Sequence, residues 1–172
     1  MIEFGSGALL LAYLTMQRVA ELWWATQNER RLFQSGGIEY GRSHLLSIVL
    51  LHGAWMLGLW RLGYDRPIQP AYFMLFVLAQ MARFWVLCTL GRRWTIRIIV
   101  VPGEKLVARG PYRFLRHPNY AVVSAEIALV PLTLGLPIFA LVFSILNAGV
   151  LAIRIPEENA ALAAMAFDRR SF

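Results

Sequence analysis

The segment Gly110-Pro111-Tyr112-Arg113-Phe114-Leu115-Arg116-His117-Pro118-Asn119-Tyr120 brings together groups that can bind and react. Arginine grips a carboxylate or a phosphate through two parallel N–H bonds. Pro118 suits the first position of a helix, and the free N–H groups of a helix start favour an anion. The same residues also suit an interfacial belt, with tyrosine at the headgroups and arginine on anionic lipid. A second set of candidates lies in otherwise apolar stretches: Arg18, Glu21, Arg83, Glu126 and Arg154. Charges at such positions are costly in hydrocarbon and mark functional or pairing roles. Arg18–Glu21 and Arg83–Glu126 can be ion pairs that hold helices together, or part of a polar cavity.

The elements that position these residues follow from composition. The chain has 172 residues, 58% hydrophobic and 16% charged. Soluble chains average roughly 45–50% apolar and about 25% charged. A small domain has too little interior for that apolar excess, which must face lipid or a large partner. Disorder is excluded by the same figures. Five membrane helices are predicted, at about 5–25, 44–61, 70–90, 119–134 and 137–155. Most approach the ~20 residues that cross a ~30 Å hydrocarbon layer. The fourth is short. Gly135-Leu136-Pro137 predicts a tight helical hairpin, since glycine ends a helix well and proline starts one. The opening carries Glu3 and a long apolar run, so a cleaved signal is not expected.

The net charge of +7 taken alone suggests nucleic acid or anionic lipid. The hydrophobicity disfavours nucleic acid, and the positions of the charges give another cause. Apart from Arg18, Arg61, Arg66 and Arg83, every basic residue falls in 26–43, in 91–118, or from Arg154 onward, Arg169 and Arg170 included. With five spans these lie on one side. The positive-inside rule then places the N-terminus outside and the basic loops and C-terminus in the cytoplasm, in a bacterial inner membrane. Arg18, Glu21, Arg83, Glu126 and Arg154 then share the cytoplasmic half. Arg18, Glu21, Ala25 and Asn28 lie on one helical face, as do Gln80 and Arg83. His52 reads as an interhelical hydrogen-bonder and Cys88 as a buried apolar residue. A single cysteine excludes an internal disulfide, and no metal site is expected. Trp94-Thr95-Ile96-Arg97-Ile98, the Pro102-Gly103 turn and Leu106-Val107-Ala108 suggest a short hairpin within the 91–118 loop.

The order GPYRFLRHPNY resembles the Gly-Pro-Tyr-Arg…Arg-His-Pro-x-Tyr signature of the isoprenylcysteine carboxyl methyltransferase family and its phospholipid methyltransferase relatives. Arg154-Ile155-Pro156-Glu157-Glu158-Asn159 is similar to that family's Arg…Glu-Glu segment after the last span. Arg18…Glu21…Asn28-Glu29-Arg30 resembles a bacterial subgroup associated with O-methylation of alkylpyrones or alkylresorcinols. Two positions depart from the family pattern: Val122 stands where glycine is common, and the ending Phe-Asp-Arg-Arg-Ser-Phe matches the family ending loosely.

The resemblance implies an all-α integral membrane protein, one domain over 1–172, with a cytoplasmic cofactor pocket formed by the 91–118 loop and the C-terminal segment. It implies S-adenosylmethionine as methyl donor, held by Tyr112, Arg113, Arg116, His117, Pro118, Tyr120, Glu157 and Glu158. Tyr112 and Tyr120 can offer aromatic faces to the sulfonium. Arg154 first, then Arg83 or Arg18, can orient an anionic acceptor. Glu126 or Glu21 can serve as base for a neutral one. The implied reaction is in-line O-methylation of a carboxylate or of a phenol or enol hydroxyl. The acceptor is expected to be lipophilic and to come from the bilayer, with no nucleic-acid partner. Two rivals stand beside this reading. One is an NADPH-dependent sterol- or steroid-type membrane reductase, which shares an Arg-His-Pro-x-Tyr-like stretch. The other is a non-enzymatic lipid-binding or scaffold protein.

Overall fold

Proline and glycine set most of the helix boundaries. The computed structural model describes residues 5–42 and 45–168, with side chains as far as residue 163. Glu3, Arg169 and Arg170 lie outside the described residues, as do the side chains of Phe167 and Asp168. Five α-helices account for most of this chain: α1 (Ser6–Gln34), α2 (Leu45–Gly63), α3 (Pro70–Leu90), α4 (Pro118–Thr133) and α5 (Pro137–Asp168). Pro70, Pro118 and Pro137 each open a helix, where a missing N–H costs nothing. Between α4 and α5, Gly135 adopts φ +68°. Its N–H donates to Leu132, and the Leu136 N–H donates to Pro131 at 2.8 Å. This double closure ends α4 and requires a left-handed residue, so the predicted hairpin is present as read.

Among the described residues, three helical stretches are long and apolar enough to cross a membrane: Leu45–Gly63, Pro70–Arg93 and Pro137–Ala163. The third includes Pro156, which lies inside α5. At 16 residues, α4 is the short element the sequence suggests. Its Pro131 removes the N–H that would bond the Ile127 carbonyl. Trp55 of α2 supplies a replacement, its indole Nε1 donating to Ile127 O at 3.3 Å.

The apolar core is built from all of α1 to α4. Leu10, Leu11 and Leu14 pack with Trp55, Leu59, Phe76, Ile127, Val130 and Leu134. The most extensive helix pairs are α3 with α4 and α4 with α5. Outward-facing residues such as Leu9, Met16, Leu57, Met74 and Ile138 are large, apolar and exposed, as a lipid-facing surface requires.

Three expectations are corrected. First, α1 continues to Gln34 and α5 to Asp168, well past residues 25 and 155. The added turns are polar over 26–34 and alanine-rich after Glu157 and Glu158 over 157–168, and both continue as helix beyond the predicted spans. Second, the 91–118 loop does not fold back on itself as a hairpin. Its strand β2 (Ile98–Val100) pairs antiparallel with β1 (Ile38–Tyr40) from the other basic loop. Arg97 secures this lobe, its Nε 3.3 Å from Glu29 of α1 and its Nη1 3.0 Å from Glu39 of β1. Ala161 of α5 closes it by packing on Ile98 and Val100. Third, Cys88 is exposed rather than buried.

Gly7 marks the closest helix approach. A Cβ there would lie 2.3 Å from the Gly63 carbonyl oxygen and 2.7 Å from that of Arg66. Both are backbone atoms and cannot swing away. Gly7→Ala is therefore expected to cost about 1–3 kcal/mol through overpacking. Gly149→Ala, facing open space in α5, should be neutral or gain up to about 1 kcal/mol. Thermal unfolding of the detergent-solubilised protein checks both.

Candidate functional site

The helix spacing places Gln17, Arg18 and Glu21 on one face of α1 and Gln80 and Arg83 on one face of α3. With Glu126 of α4 they form a closed network. Arg83 donates Nε to Glu21 Oε1 at 2.6 Å, Nη2 to the other Glu21 oxygen, and Nη1 to Glu126 Oε2 at 2.8 Å. Arg18 spans the same carboxylates, Nη1 to Glu21 at 2.8 Å and Nη2 to Glu126 at 2.6 Å. Gln80 donates to the remaining Glu126 oxygen at 3.0 Å, and Gln17 donates to Glu21 and to Gln80. Both pairs foreseen from the sequence therefore exist, joined as one quartet with no net charge. Glu21, Arg83 and Glu126 are buried, Arg83 4% and Glu126 1% exposed, and Arg18 is half-buried.

A second cluster joins the start of α4 to the far half of α5. Arg154 and Glu158 are four residues apart and share a helical face. Both meet Tyr120. The Tyr120 hydroxyl donates to the Glu158 carboxylate and accepts from Arg154 Nε at 2.8 Å. Arg154 also donates Nη2 to the Ile96 carbonyl, and its guanidinium lies 5.8 Å from the Tyr120 ring centre. The His117 ring stacks on Tyr120 at 5.5 Å. Its Nε2 lies 3.0 Å from Asn159 Oδ1, which accepts, and its Nδ1 3.7 Å from Glu158. Tyr112, on a single 3-10 turn at Gly110–Arg113, is half-buried. Burial, reinforced by the Glu158 carboxylate, pushes its phenol well above the ordinary tyrosine range, so it remains a protonated donor. Pro118 is buried at the helix start, whereas Arg113, Arg116 and Glu157 are exposed.

Between the two clusters lies a cavity of about 410 Å³, within the ~300–1,000 Å³ range of small-molecule sites. Arg18, Glu21 and Arg83 contribute to its wall, as do Tyr120 and Arg154. The rest is largely apolar, with Val19 and Leu22 of α1, Val49 of α2 and Leu151 of α5. Glu126 is not among the lining residues. Two lining residues carry buried N–H groups with no protein acceptor among the described residues, Trp94 Nε1 and Arg18 Nε. Such orphaned donors suit a bound molecule rich in oxygen acceptors.

His52 also lines the cavity, but among the described residues it makes no interhelical bond. Its Nδ1 lies 2.9 Å from the Ile48 carbonyl one turn earlier in α2. Sequence reasoning also missed the part played by the 94–96 backbone. Asn28 donates to the Trp94 carbonyl at 2.9 Å and to that of Gly91 at 3.2 Å. Trp94 stacks on Trp24 at 5.8 Å. The signal was the place of Asn28 on the Arg18–Glu21–Ala25 face, an amide that needed a partner.

The sequence model of the isoprenylcysteine carboxyl methyltransferase (ICMT) family matches residues 72–164. The chain belongs to this family. The matched stretch runs from α3 into the far half of α5, and so contains both halves of the His117–Tyr120–Arg154–Glu158 cluster. With its three long apolar helices, the protein belongs among membrane methyltransferases. It is similar to the uncharacterized protein YpbQ of Bacillus subtilis (strain 168), 42% identical over 159 residues, covering 90% of this chain and 95% of the relative. It is also similar to an uncharacterized protein of Haemophilus influenzae, 25% identical over 149 residues, covering 79% and 83%. Val122, which departs from the family's usual glycine, is buried in α4.

The quartet yields a stability prediction. Glu126→Ala leaves a buried guanidinium short of its counter-charge and should cost about 3–5 kcal/mol. Removing Arg83 and Glu126 together, each to leucine, should cost less than the two single changes combined, because no charge is stranded. Unfolding in detergent of the two single variants and the double variant measures the coupling.

Proposed function

We propose that this protein transfers a methyl group from S-adenosylmethionine to a lipophilic acceptor, forming an O-methyl carboxylate, phenol or enol. The observation that carries the reading is the union of two distant motif halves, His117–Tyr120 with Arg154–Glu158–Asn159, at one edge of a largely apolar cavity. When bound, the donor supplies an electrophilic methyl carbon on a sulfonium. The chain's own groups fit such a molecule. Glu158 is a half-exposed carboxylate suited to the amino group or ribose hydroxyls. His117 and Tyr120 present stacked aromatic faces suited to a cation. Trp94 Nε1 is a donor with no acceptor among the described residues.

The cavity's composition suits the reaction. A sulfonium and an anionic oxygen neutralise each other in the transition state, so apolar walls disfavour the charged ground state more than the transition state. Proximity and alignment supply much of the remainder. Arg154 is held by Tyr120 and Ile96 and lines the cavity, which suits it to orient an acceptor oxygen. His117 ends the basic 91–118 loop and Arg154 and Glu158 lie in the far half of α5, so on the positive-inside rule this edge faces the cytoplasm, with the N-terminus outside, in a bacterial inner membrane. The apolar wall offers the acceptor a route from the bilayer. An alkylpyrone or alkylresorcinol is one such acceptor.

Equilibrium binding of labelled S-adenosylmethionine tests the reading. Wild-type protein should bind it, and His117→Ala and Glu158→Ala should each weaken binding tenfold or more. Labelled donor with membrane lipid extract should then yield a labelled lipophilic product. Protein that takes NADPH and ignores S-adenosylmethionine would be a reductase instead.

A further inference from the structure

Among the described residues, Glu21, Glu126 and His52 can be weighed as proton acceptors near the cavity; His117 and Glu158, bonded to Asn159 and Tyr120, are not among its lining residues. Glu126 does not line it. Glu21 does, but both its oxygens are taken by guanidinium groups, Oε1 by Arg83 and Oε2 by Arg83 and Arg18. A carboxylate so compensated is a weak base. His52 differs. The Ile48 carbonyl can only accept, so the 2.9 Å contact fixes the imidazole proton on Nδ1. Nε2 then carries the lone pair, and among the described residues it has no protein partner. Charged and titratable groups line the same cavity from every other helix: Arg18 and Glu21 from α1, Arg83 from α3, Tyr120 from α4 and Arg154 from α5.

We infer that His52 is the general base of this site and that the acceptor carries a weakly acidic hydroxyl of the phenol type. The inference rests on the methyl-transfer reading above and narrows it. Nε2 takes the hydroxyl proton, so an O–H bond breaks and an N–H bond forms. The oxygen gains its O–C bond as the donor's C–S bond breaks, leaving a neutral thioether. The imidazolium later gives its proton to solvent. A carboxylate acceptor is already ionised and would give this histidine nothing to do. The Ile48 bond makes the assignment one of tautomer as well as place, because it holds the basic nitrogen away from its own backbone. Arg154 and Arg18 on the walls suit the developing oxyanion.

The test has one arm that needs no methyl donor. A lipophilic nitrophenol, 2-dodecyl-4-nitrophenol, is titrated against the detergent-solubilised protein and its phenolate band is followed with pH. The wild type should ionise the bound phenol at least one pH unit lower than His52→Gln does. The second arm measures methylation of 3-pentadecylphenol and of palmitate with labelled S-adenosylmethionine. His52→Gln should lose about 10²–10⁴-fold on the phenol and stay within threefold on the nitrophenol at a pH where it is already ionised. The wild-type rate should rise with pH along an imidazole ionisation, and that limb should vanish in the variant. Added imidazole should restore part of the rate to His52→Ala, which a purely structural histidine would not allow. Unchanged nitrophenol ionisation in both His52→Gln and His52→Asn overturns the assignment. So does a wild type that methylates palmitate but not the phenol. Failure of the methyl-transfer reading appears separately, as absent S-adenosylmethionine binding while the nitrophenol titration still reports on His52.

Discussion

Everything in this protein hangs on four charges buried between three helices. Two apolar helices in lipid gain little by touching, since acyl chains are as apolar as leucine, so association relies on close fit and on polar contacts. Here α3 and α4 fit closely along their length, and Arg18 and Glu21 of α1 are joined to them through Arg83 and Glu126. Each guanidinium bridges both carboxylates, so no single contact can be lost without unbalancing the others. The network has no net charge, and the two glutamines occupy carboxylate lone pairs the arginines leave free. With both carboxylates paired at each oxygen, Glu21, Arg83 and Glu126 are tolerable at 1–7% exposure, while Arg18 is half-buried and keeps its Nε unpaired among the described residues.

The quartet also divides the molecule. Toward the N-terminus of α1 lies the apolar core of Leu10, Leu11 and Leu14 against Trp55, Leu59 and Leu134. Toward its C-terminus the helix leads into the lobe of β1 and β2, clamped by Asn28, Glu29 and Arg97. The cavity lies between, so its walls combine quartet arginines with membrane-facing aliphatics. The same charges that hold the bundle therefore polarise one wall of the site, while Tyr120 and Arg154 polarise another. Neither cluster depends on the other for its hydrogen bonds. The scaffold's carboxylates are consumed in holding helices, and those of the α5 cluster remain accessible, with Glu158 half-exposed and Glu157 exposed.

How far this could be read from the sequence depends on which physical signal each part left. Helix starts were legible wherever proline stood at the first position, as at Pro70, Pro118 and Pro137. The α4–α5 turn was legible because only Gly135 can take its backbone conformation. The charges were legible as outliers in apolar runs, and their pairing followed from depth. Two extensions were not legible. Hydropathy ends α1 near Ala25 and α5 near Ile155, yet a helix outside the hydrocarbon needs no apolar residues to continue. The β1–β2 pairing joins strands sixty residues apart, and no local periodicity in Ile98-Ile99-Val100 names Ile38–Tyr40 as partner. The motif segment marked His117 and Tyr120 by residue order, but that they meet Arg154, Glu158 and Asn159 needed the extended α5.

His52 shows most clearly what the fold adds to composition. A lone histidine in a membrane helix reads as interhelical glue, since that is the commonest way to satisfy it. The bond to Ile48 satisfies only one nitrogen, within its own helix, and the other has no protein partner among the described residues in a side chain that lines the cavity. Helix geometry makes this arrangement natural, because a side chain four residues on can reach back to a carbonyl of the preceding turn. A polar group anchored in this way costs the bundle no contact elsewhere, and the neighbouring Gly53 crowds it with no side chain. The division of labour is then complete: the carboxylates of the quartet are spent on structure, and the one lining base not neutralised by an arginine is an imidazole. On the proposed reaction, that assigns proton removal to α2, acceptor orientation to Arg154 of α5, and donor recognition to the start of α4 with Glu158. These elements are joined through α4 and the lobe, so a change in any one of them should be felt first as misalignment rather than as unfolding.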